Sequence, residues 1–314
     1  DQYLALYEAF DVRRPSVLHV GLESPDLRMG GLNRYLSELD SAQNASGVCS
    51  TTHVVALGGV DTASYTSIAP SNWMARLRAF RRAVQRSSAA VIDVHFAAHA
   101  AWAVASGALR DRHLVVHFQG PWSQESRWAG GGFIGSWLKA RVEGYVLRRA
   151  DRVIVLSRAF RDVVIRDFHV APHRIHVIAP GLDVHTPQVD SDLRAHHNIP
   201  ADAPVVVSVR RLVPRMGLDT ILWVLSEPEM SAVHYVIVGT GPSMDDLRQL
   251  AHDLGVGERV HFVGLVSDED RDAWLALADV SVVPSLALEG FGLSVLESLA
   301  VGTPVIASRL GGLI

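Results

Sequence analysis

Short, β-branched apolar runs alternate with longer amphipathic stretches along the whole chain, and the alternation restarts once after a polar, proline-bearing break. The runs Ser16–Val20, Thr52–Leu57, Ala90–His95, His113–Phe118, Arg152–Leu156 and Ile175–Ile178 carry apolar residues at successive positions. A strand that is apolar on both faces is buried on both, as strands of parallel sheets are. Between the runs lie helical patterns such as Leu32–Ser41 and Trp73–Arg86, the second with Trp73, Leu77, Phe80 and Val84 along one stripe. The break spans Thr186–Asp192 and Asn198–Pro204. Beyond it, Val205–Val209, His234–Gly239, Arg259–Val263, Val280–Pro284 and Pro304–Ala307 read as strands. Asp219–Leu225, Met244–Leu254, Asp268–Leu277 and Leu293–Ala300 read as helices. The expectation is an α/β chain of two Rossmann-like, doubly wound domains facing a cleft, over 15–185 and 204–314. A linker at 186–203 joins them, and a helical extension over 1–14 precedes them. Ligands of such sheets sit beyond the carboxyl ends of the strands, where the strand order reverses.

Composition closes off several classes of function. A length of 314 residues, with 48% hydrophobic and 20% charged residues, suits two folded cores. A net charge of -4 excludes recruitment of nucleic acid by a global basic field. The single Cys49 excludes a disulfide framework and a cysteine metal cluster, and points to a reducing cytoplasm. No apolar run is long enough to span a bilayer, and no leader peptide is recognisable. Of 29 basic residues only Lys139 is a lysine, which we read as the coding bias of a GC-rich bacterium. A phosphate site in this chain is therefore expected to rest on arginine. The start at Asp1 and the end inside Leu310-Gly-Gly-Leu-Ile314 read as cuts through a longer protein.

The most informative local pattern is Glu289-Gly-Phe-Gly-Leu-Ser-Val-Leu-Glu297. Val283-Pro-Ser285 ends a strand, and the glycines open the next helix, where free amides suit a phosphate. Leu296 and Leu299 are expected to face the core, leaving Glu297 at the edge. A carboxylate there can accept two hydrogen bonds from a vicinal diol such as ribose.

Pro284–Ser308 closely resembles the retaining family four glycosyltransferases (glycosyl transferases group 1), which have the GT-B fold. The resemblance rests on Glu289, Glu297 and the following Gly302-Thr-Pro-Val-Ile-Ala307. It implies that Glu289 contacts the transferred sugar, Glu297 the ribose, and the amides of Phe291, Gly292 and Leu293 the diphosphate. Val209–Gly217 is similar to the family's phosphate-binding segment. There Arg211 matches the family arginine, but the lysine position five residues on holds Met216. Arg210 and Arg215 are nearby candidates for the missing charge, and Met216→Lys is expected to tighten diphosphate binding. Val236–Pro242 resembles the family's glycine-rich turn. Val260–Gly264, with Val263, resembles the family's strand end whose backbone reads the nucleotide base.

In the first half, Arg28–Leu36 resembles the family's amino-terminal glycine loop, with Gly31 as the contact. His117 matches a family histidine near the transferred sugar and is expected to face the ligand. His95 and His99 read as packing residues, since no carboxylate or cysteine completes a metal-ligand set with them. Pro121–Trp137 reads as a loop carrying Trp122, Trp128, Trp137 and three glycines; acceptor binding, core packing and membrane contact stay open for it. The arginines at 76, 78, 81, 82 and 86 flank the apolar stripe of the helix Trp73–Arg86, which suits either peripheral membrane contact or a solvated face.

The resemblance implies a hexosyltransferase-type enzyme, cytoplasmic or peripheral on the inner membrane face. It moves a sugar from a nucleoside-diphosphate sugar to a carbohydrate, lipid-linked or natural-product acceptor with retention, and it requires no metal or other cofactor. Arginines and helix amides would stabilise the departing diphosphate, and domain closure would exclude water. A nucleotide-sugar epimerase of the same fold and a degenerate nucleotide-sugar-binding protein are the alternatives, Met216 favouring the second. The second domain is expected to lack its carboxyl-terminal part, and Asp1–Phe10 resembles the helix that ends family members.

Overall fold

A computed structural model describes residues 2–8, 10, 16–21, 31–46, 51–56, 65–67, 73–182, 184, 187 and 193–314. The chain divides into two units, one of residues 1–127 and 131–180, the other of 128–130 and 181–314.

The first unit runs α1 (Gln2–Glu8), β1 (Ser16–Gly21), α2 (Gly31–Ser46), β2 (Thr51–Ala56), β3 (Tyr65–Ser67), α3 (Trp73–Arg86) and β4 (Val91–Val94). It continues with α4 (Ala101–Ala105), β5 (His113–Phe118), α5 (Trp122–Trp128), α6 (Phe133–Leu147), β6 (Arg152–Val155), α7 (Arg158–Phe168) and β7 (Ile175–Val177). The strands form one parallel sheet in the order β3-β2-β1-β4-β5-β6-β7, so the winding reverses between β1 and β4. Alternation along the strands splits the core in two. Leu18, Val20, Ile92, Val94, Leu114, Val116, Val153 and Val155 form one side with Phe80, Val146, Leu147 and Phe160. Val17, Val91, Val115 and Ile154 form the other, under Leu6 and Tyr7 of α1. The expected extension is thus part of the first unit's core.

The stripe of α3 buries Leu77, Phe80 and Val84, with Ala79 and Ala83 beside them. Trp73 stays partly exposed and stacks on Trp122, ring centroids 5.5 Å apart. The expected loop over Pro121–Trp137 is instead α5 and the start of α6, joined by a turn at 129–132. The glycine run made a long loop look necessary; the chain uses it for one turn between two helices.

The second unit runs α8 (Leu193–His196), β8 (Val205–Val209), α9 (Leu218–Leu225), β9 (His234–Val238), α10 (Met244–Asp253), β10 (Val260–Gly264), α11 (Asp268–Leu277), β11 (Val280–Val283), α12 (Leu293–Ala300) and β12 (Val305–Ala307). Its parallel sheet has the order β10-β9-β8-β11-β12, and the winding reverses between β8 and β11. Leu212, Leu218, Leu222, Tyr235 and Ile237 fill one face, and Val205, Val207, Val236, Val238, Trp274 and Leu275 the other. Ile199 and Ala203 are buried in that second cluster, so the stretch read as a linker over 186–203 is packed structure at its carboxyl end. Both expected α/β units are therefore present. Among the described residues no helix is long and apolar enough to cross a membrane.

Candidate functional site

In the second unit the loops after β8 and β11 meet at the reversal of strand order. Leu286 N donates to Arg215 O at 2.8 Å. Gly217 takes a φ of 68°, and a Cβ there would stand 2.1 Å from Pro284 O. Only glycine lets the two backbones come this close. The contact brings together side chains 79 positions apart: Arg210 Nη2 donates to Glu289 Oε2 at 2.6 Å. Ser285 Oγ donates to the same oxygen, also at 2.6 Å.

The three candidate arginines separate clearly. Arg211, the one matched by resemblance, is exposed. Arg210 is buried; its Nη2 is also 3.0 Å from Met216 Sδ, and its Nη1 has no hydrogen-bond partner. Arg215 is half-buried, with Nη1 3.4 Å from Leu288 O. The strand-end position thus supplies the buried cation, because alternation turns residue 210 inward and residue 211 out. Met216 packs on that cation, which puts Arg210 where a lysine at 216 would have to go.

Gly292 caps α12 with a φ of 91°, and Phe291 and Leu293 flank it as expected. Within α12 the expected facing is corrected. Leu299 is 54% exposed, and Ser298 is the buried residue, its hydroxyl donating to Ser294 O at 2.8 Å. The hydroxyl lets a polar residue take the inward position without an unpaired group. Glu297 is mostly buried, with Oε1 3.7 Å from Arg271 Nη1. Val263 sits at the end of β10, partly buried against the second core cluster.

In the first unit, Gly31 opens α2, while residues 22–30, with most of the expected glycine loop, lie outside the described residues. His117 ends β5 as expected but does not stand open. It is 2% exposed, its ring stacked on His95 at 4.1 Å and flanked by Tyr3 and Tyr35. Its Nε2 lies 2.9 Å from Asp93 Oδ1. The register pairs His19 of β1 with Asp93 of β4, and His19 Nδ1 is 3.0 Å from Asp93 Oδ2. His95 Nε2 stands 4.0 Å from that oxygen. The histidine cluster therefore does have a carboxylate, contrary to the sequence reading. Asp93 was visible as a polar residue inside an apolar strand, but its neighbours come from 74 positions upstream and 24 downstream. Burial pushes the Asp93 carboxyl up, yet His117 and His19 overcome this and hold it well below the usual carboxylate range. Burial works against charge on His19, but Asp93 raises its imidazole, while burial drives His95 well down. His99, buried beside Trp73 and Phe96, is lowered to about 3 by burial and the nearby Arg76.

On the same unit, α6 presents Phe133 (71% exposed), Ile134 (74%), Trp137 and Leu138 to solvent. Arg127 and Arg141 lie over Phe133 and Trp137, and Lys139 lies over Trp122 while donating to Ser126 Oγ at 2.6 Å. Glu143 of α6 is buried, and burial raises its carboxyl to about 8, against the hydrogen bond from Trp122 N.

Two family models match the chain: "Glycosyltransferase Family 4" over residues 29–186 and "Glycosyl transferases group 1" over 189–314. The GDP-mannose-dependent alpha-(1-6)-phosphatidylinositol monomannoside mannosyltransferase of Mycobacterium tuberculosis is 35% identical over 192 residues, covering 56% of this chain and 49% of that protein. The D-inositol 3-phosphate glycosyltransferase of Mycobacteroides abscessus is 36% identical over 178 residues, covering 54% and 40%. The chain thus spans about half the length of the curated relatives it matches. Among solved structures, sucrose-phosphate synthase from Thermosynechococcus elongatus superposes with a TM-score of 0.77 at 23% identity, covering 96% of this chain and 82% of that one. Anabaena HepE in complex with UDP and glucose gives 0.75 at 22%, covering 95% and 82%. At these identities the likeness speaks for the fold, which is GT-B.

Proposed function

The chain belongs to glycosyltransferase family 4, and on that premise we propose that it moves a sugar from a nucleoside diphosphate to an acceptor hydroxyl with retention at the anomeric carbon. The carrying observation is Arg210. It is a buried guanidinium with one nitrogen on Glu289 and another without a partner, beside the glycine-opened start of α12. A phosphate oxygen supplies the missing acceptor and suits the planar fork of arginine. In this reading Arg210 and Arg215 neutralise the diphosphate, with the amides of Phe291–Leu293. Glu289 meets the sugar, Glu297 the ribose, and Val263 lies by the base. The reaction is helped by stabilising the departing diphosphate, whose oxygen then takes the acceptor's proton. Arginines provide the positive charge at this site, so the reading assigns the transfer no metal. His117, buried among aromatic rings, is given no direct part in it, and the exposed Arg211 stays a candidate cation for the diphosphate.

The names of the mycobacterial relatives support a GDP-mannose-type hexosyl donor and an inositol-bearing acceptor. The apolar face of α6 and the exposed Arg78, Arg82 and Arg86 of α3 support a lipid-linked acceptor met at the inner surface of a membrane. The test incubates the purified chain with labelled GDP-mannose or UDP-glucose and phosphatidylinositol or inositol phosphate, with the anomeric configuration of the product read by NMR. Label in an acceptor glycoside of the donor's configuration is expected; inverted product would sink retention. Met216 favours a second reading, a protein that binds the nucleotide sugar without transferring it. Calorimetric binding of GDP or UDP with no turnover would select it.

A further inference from the structure

The start of α11 carries a cation where a helix disfavours one. Ser267 caps the helix, its Oγ accepting from Asp270 N at 3.0 Å. Asp268, Glu269 and Asp270 fill the first turn, as the helix dipole favours. Arg271 follows at once and points inward, in a run of buried residues with Asp272, Ala273, Trp274 and Leu275. A guanidinium near the amino-terminal end of a helix gains nothing from the dipole, and burying it costs free energy unless it is paired. Neither helix stability nor core packing accounts for it, so its partners have to.

Two aspartates of the same helix fix the guanidinium. Nε and Nη2 lie 2.8 and 2.7 Å from Asp272 Oδ1, and Nη1 donates to Asp268 Oδ1 at 2.5 Å. With both edges of the planar group held, its orientation is set. Nη1 also stands 3.7 Å from Oε1 of Glu297 on α12. Both side chains are mostly buried, so the attraction is little screened. The separation is that of an ion pair and is longer than a hydrogen bond. Charge therefore steadies Glu297 from the side. A carboxylate has about four acceptor directions, and an ion pair at this distance leaves that oxygen able to accept from hydroxyls.

We propose that Arg271 positions Glu297 for the ribose of the donor nucleotide and so sets a preference for ribonucleotides over 2′-deoxyribonucleotides. The inference rests on the reading given above, in which Glu297 accepts from the vicinal diol. Two hydrogen bonds to neighbouring hydroxyls require a carboxylate whose plane is fixed. A Glu297 free to turn would meet the hydroxyls one at a time and would distinguish ribose from deoxyribose poorly. Arg271 acts through Glu297 and is a positioning residue; it adds charge to the ribose end of the site, away from the diphosphate.

The test is calorimetric titration of the full chain with GDP, UDP and their 2′-deoxy forms, for the wild type, Glu297→Gln, Arg271→Leu and Arg271→Lys. The wild type should bind the ribo form of its preferred nucleotide roughly tenfold or more tightly than the deoxy form, the scale of a hydrogen bond to a charged group. Glu297→Gln and Arg271→Leu should each bring that ratio close to one, weakening the ribo form and leaving the deoxy form little changed. General damage to the second unit would weaken both forms and leave the ratio where it was. Arg271→Lys keeps the charge and loses the fork. It should lower the ratio severalfold, and it carries the test if the leucine variant does not fold. A wild-type ratio retained by Glu297→Gln or by either Arg271 variant overturns the inference and leaves the donor reading standing. So does a wild type that binds both forms equally. A wild type that binds none of these nucleotides overturns the donor reading, and the inference with it.

Discussion

The two units place a carboxylate, mostly buried in one and fully buried in the other, at the same topological position and treat it in opposite ways. Glu289 lies where winding reverses between β8 and β11, and Asp93 where it reverses between β1 and β4. Around Glu289 the surroundings are backbone loops thinned by glycine, and the partner is an arginine with a nitrogen to spare. Around Asp93 they are aromatic rings and amides from α1 and α2, and the partners are histidines. Fold position alone therefore does not make a ligand site. What separates the two is whether the cover is main chain, which leaves amides for an anion, or side chain, which closes over the charge.

Breaking either carboxylate's surroundings tests that contrast. The largest effect is expected from Asp93→Ala, which leaves three histidines packed without their counter-charge. Removing one partner of a buried ionic group costs about 3–5 kcal/mol, so denaturant melts should show the first unit collapsing. Diphosphate binding, if it belongs to the second unit, should survive until that transition. Arg210→Ala should do the reverse. We expect kcat/KM for transfer to fall by roughly 100- to 1000-fold, as for loss of a donor that stabilises developing charge, with the second unit's melting lowered because Glu289 loses its buried partner and the first unit's unmoved.

A third carboxylate sharpens the comparison, because Glu143 is buried and, among the described residues, no cation pairs with it. Its folded carboxyl titrates at about 8 against an ordinary 4.5. The folded chain keeps a proton that the unfolded chain releases between those values, so stability falls as pH rises across that window and levels off above it. Glu143→Gln should abolish the fall, the variant gaining on the parent up to a few kcal/mol at the alkaline end; parallel stability curves against pH would refute this. Gly217→Ala forces a Cβ onto Pro284 O at a positive φ and should cost about 1–3 kcal/mol in the second unit, measurable as a lower denaturant midpoint. The smallest effect is expected from Met216→Lys. The sequence suggested tighter diphosphate binding, but the new ammonium would stand against Arg210. We now expect calorimetry to show GDP binding weakened by roughly threefold to tenfold, from like-charge crowding. Adding Arg210→Ser should restore it.

The fold was largely legible because buried parallel strands are written as uninterrupted β-branched runs. His113–Phe118 and Val205–Val209 were read to the residue, while the short β3, Tyr65–Ser67, has no such run. The candidate site was legible where it is local in sequence, as at Glu289–Glu297. It was not legible where register decides: nothing near His19 announces that Asp93 lies beside it. Arg210 and Arg211 look equivalent as letters, and only the end of β8 tells them apart.

Lys139 carries the only lysine side chain in the sequence, and it sits on α6 beside Phe133, Ile134, Trp137 and Leu138. Amine-reactive chemistry at a side chain therefore has one address. An environment-sensitive fluorophore coupled there would report directly on whether that helix leaves water when vesicles are added, without any engineered cysteine.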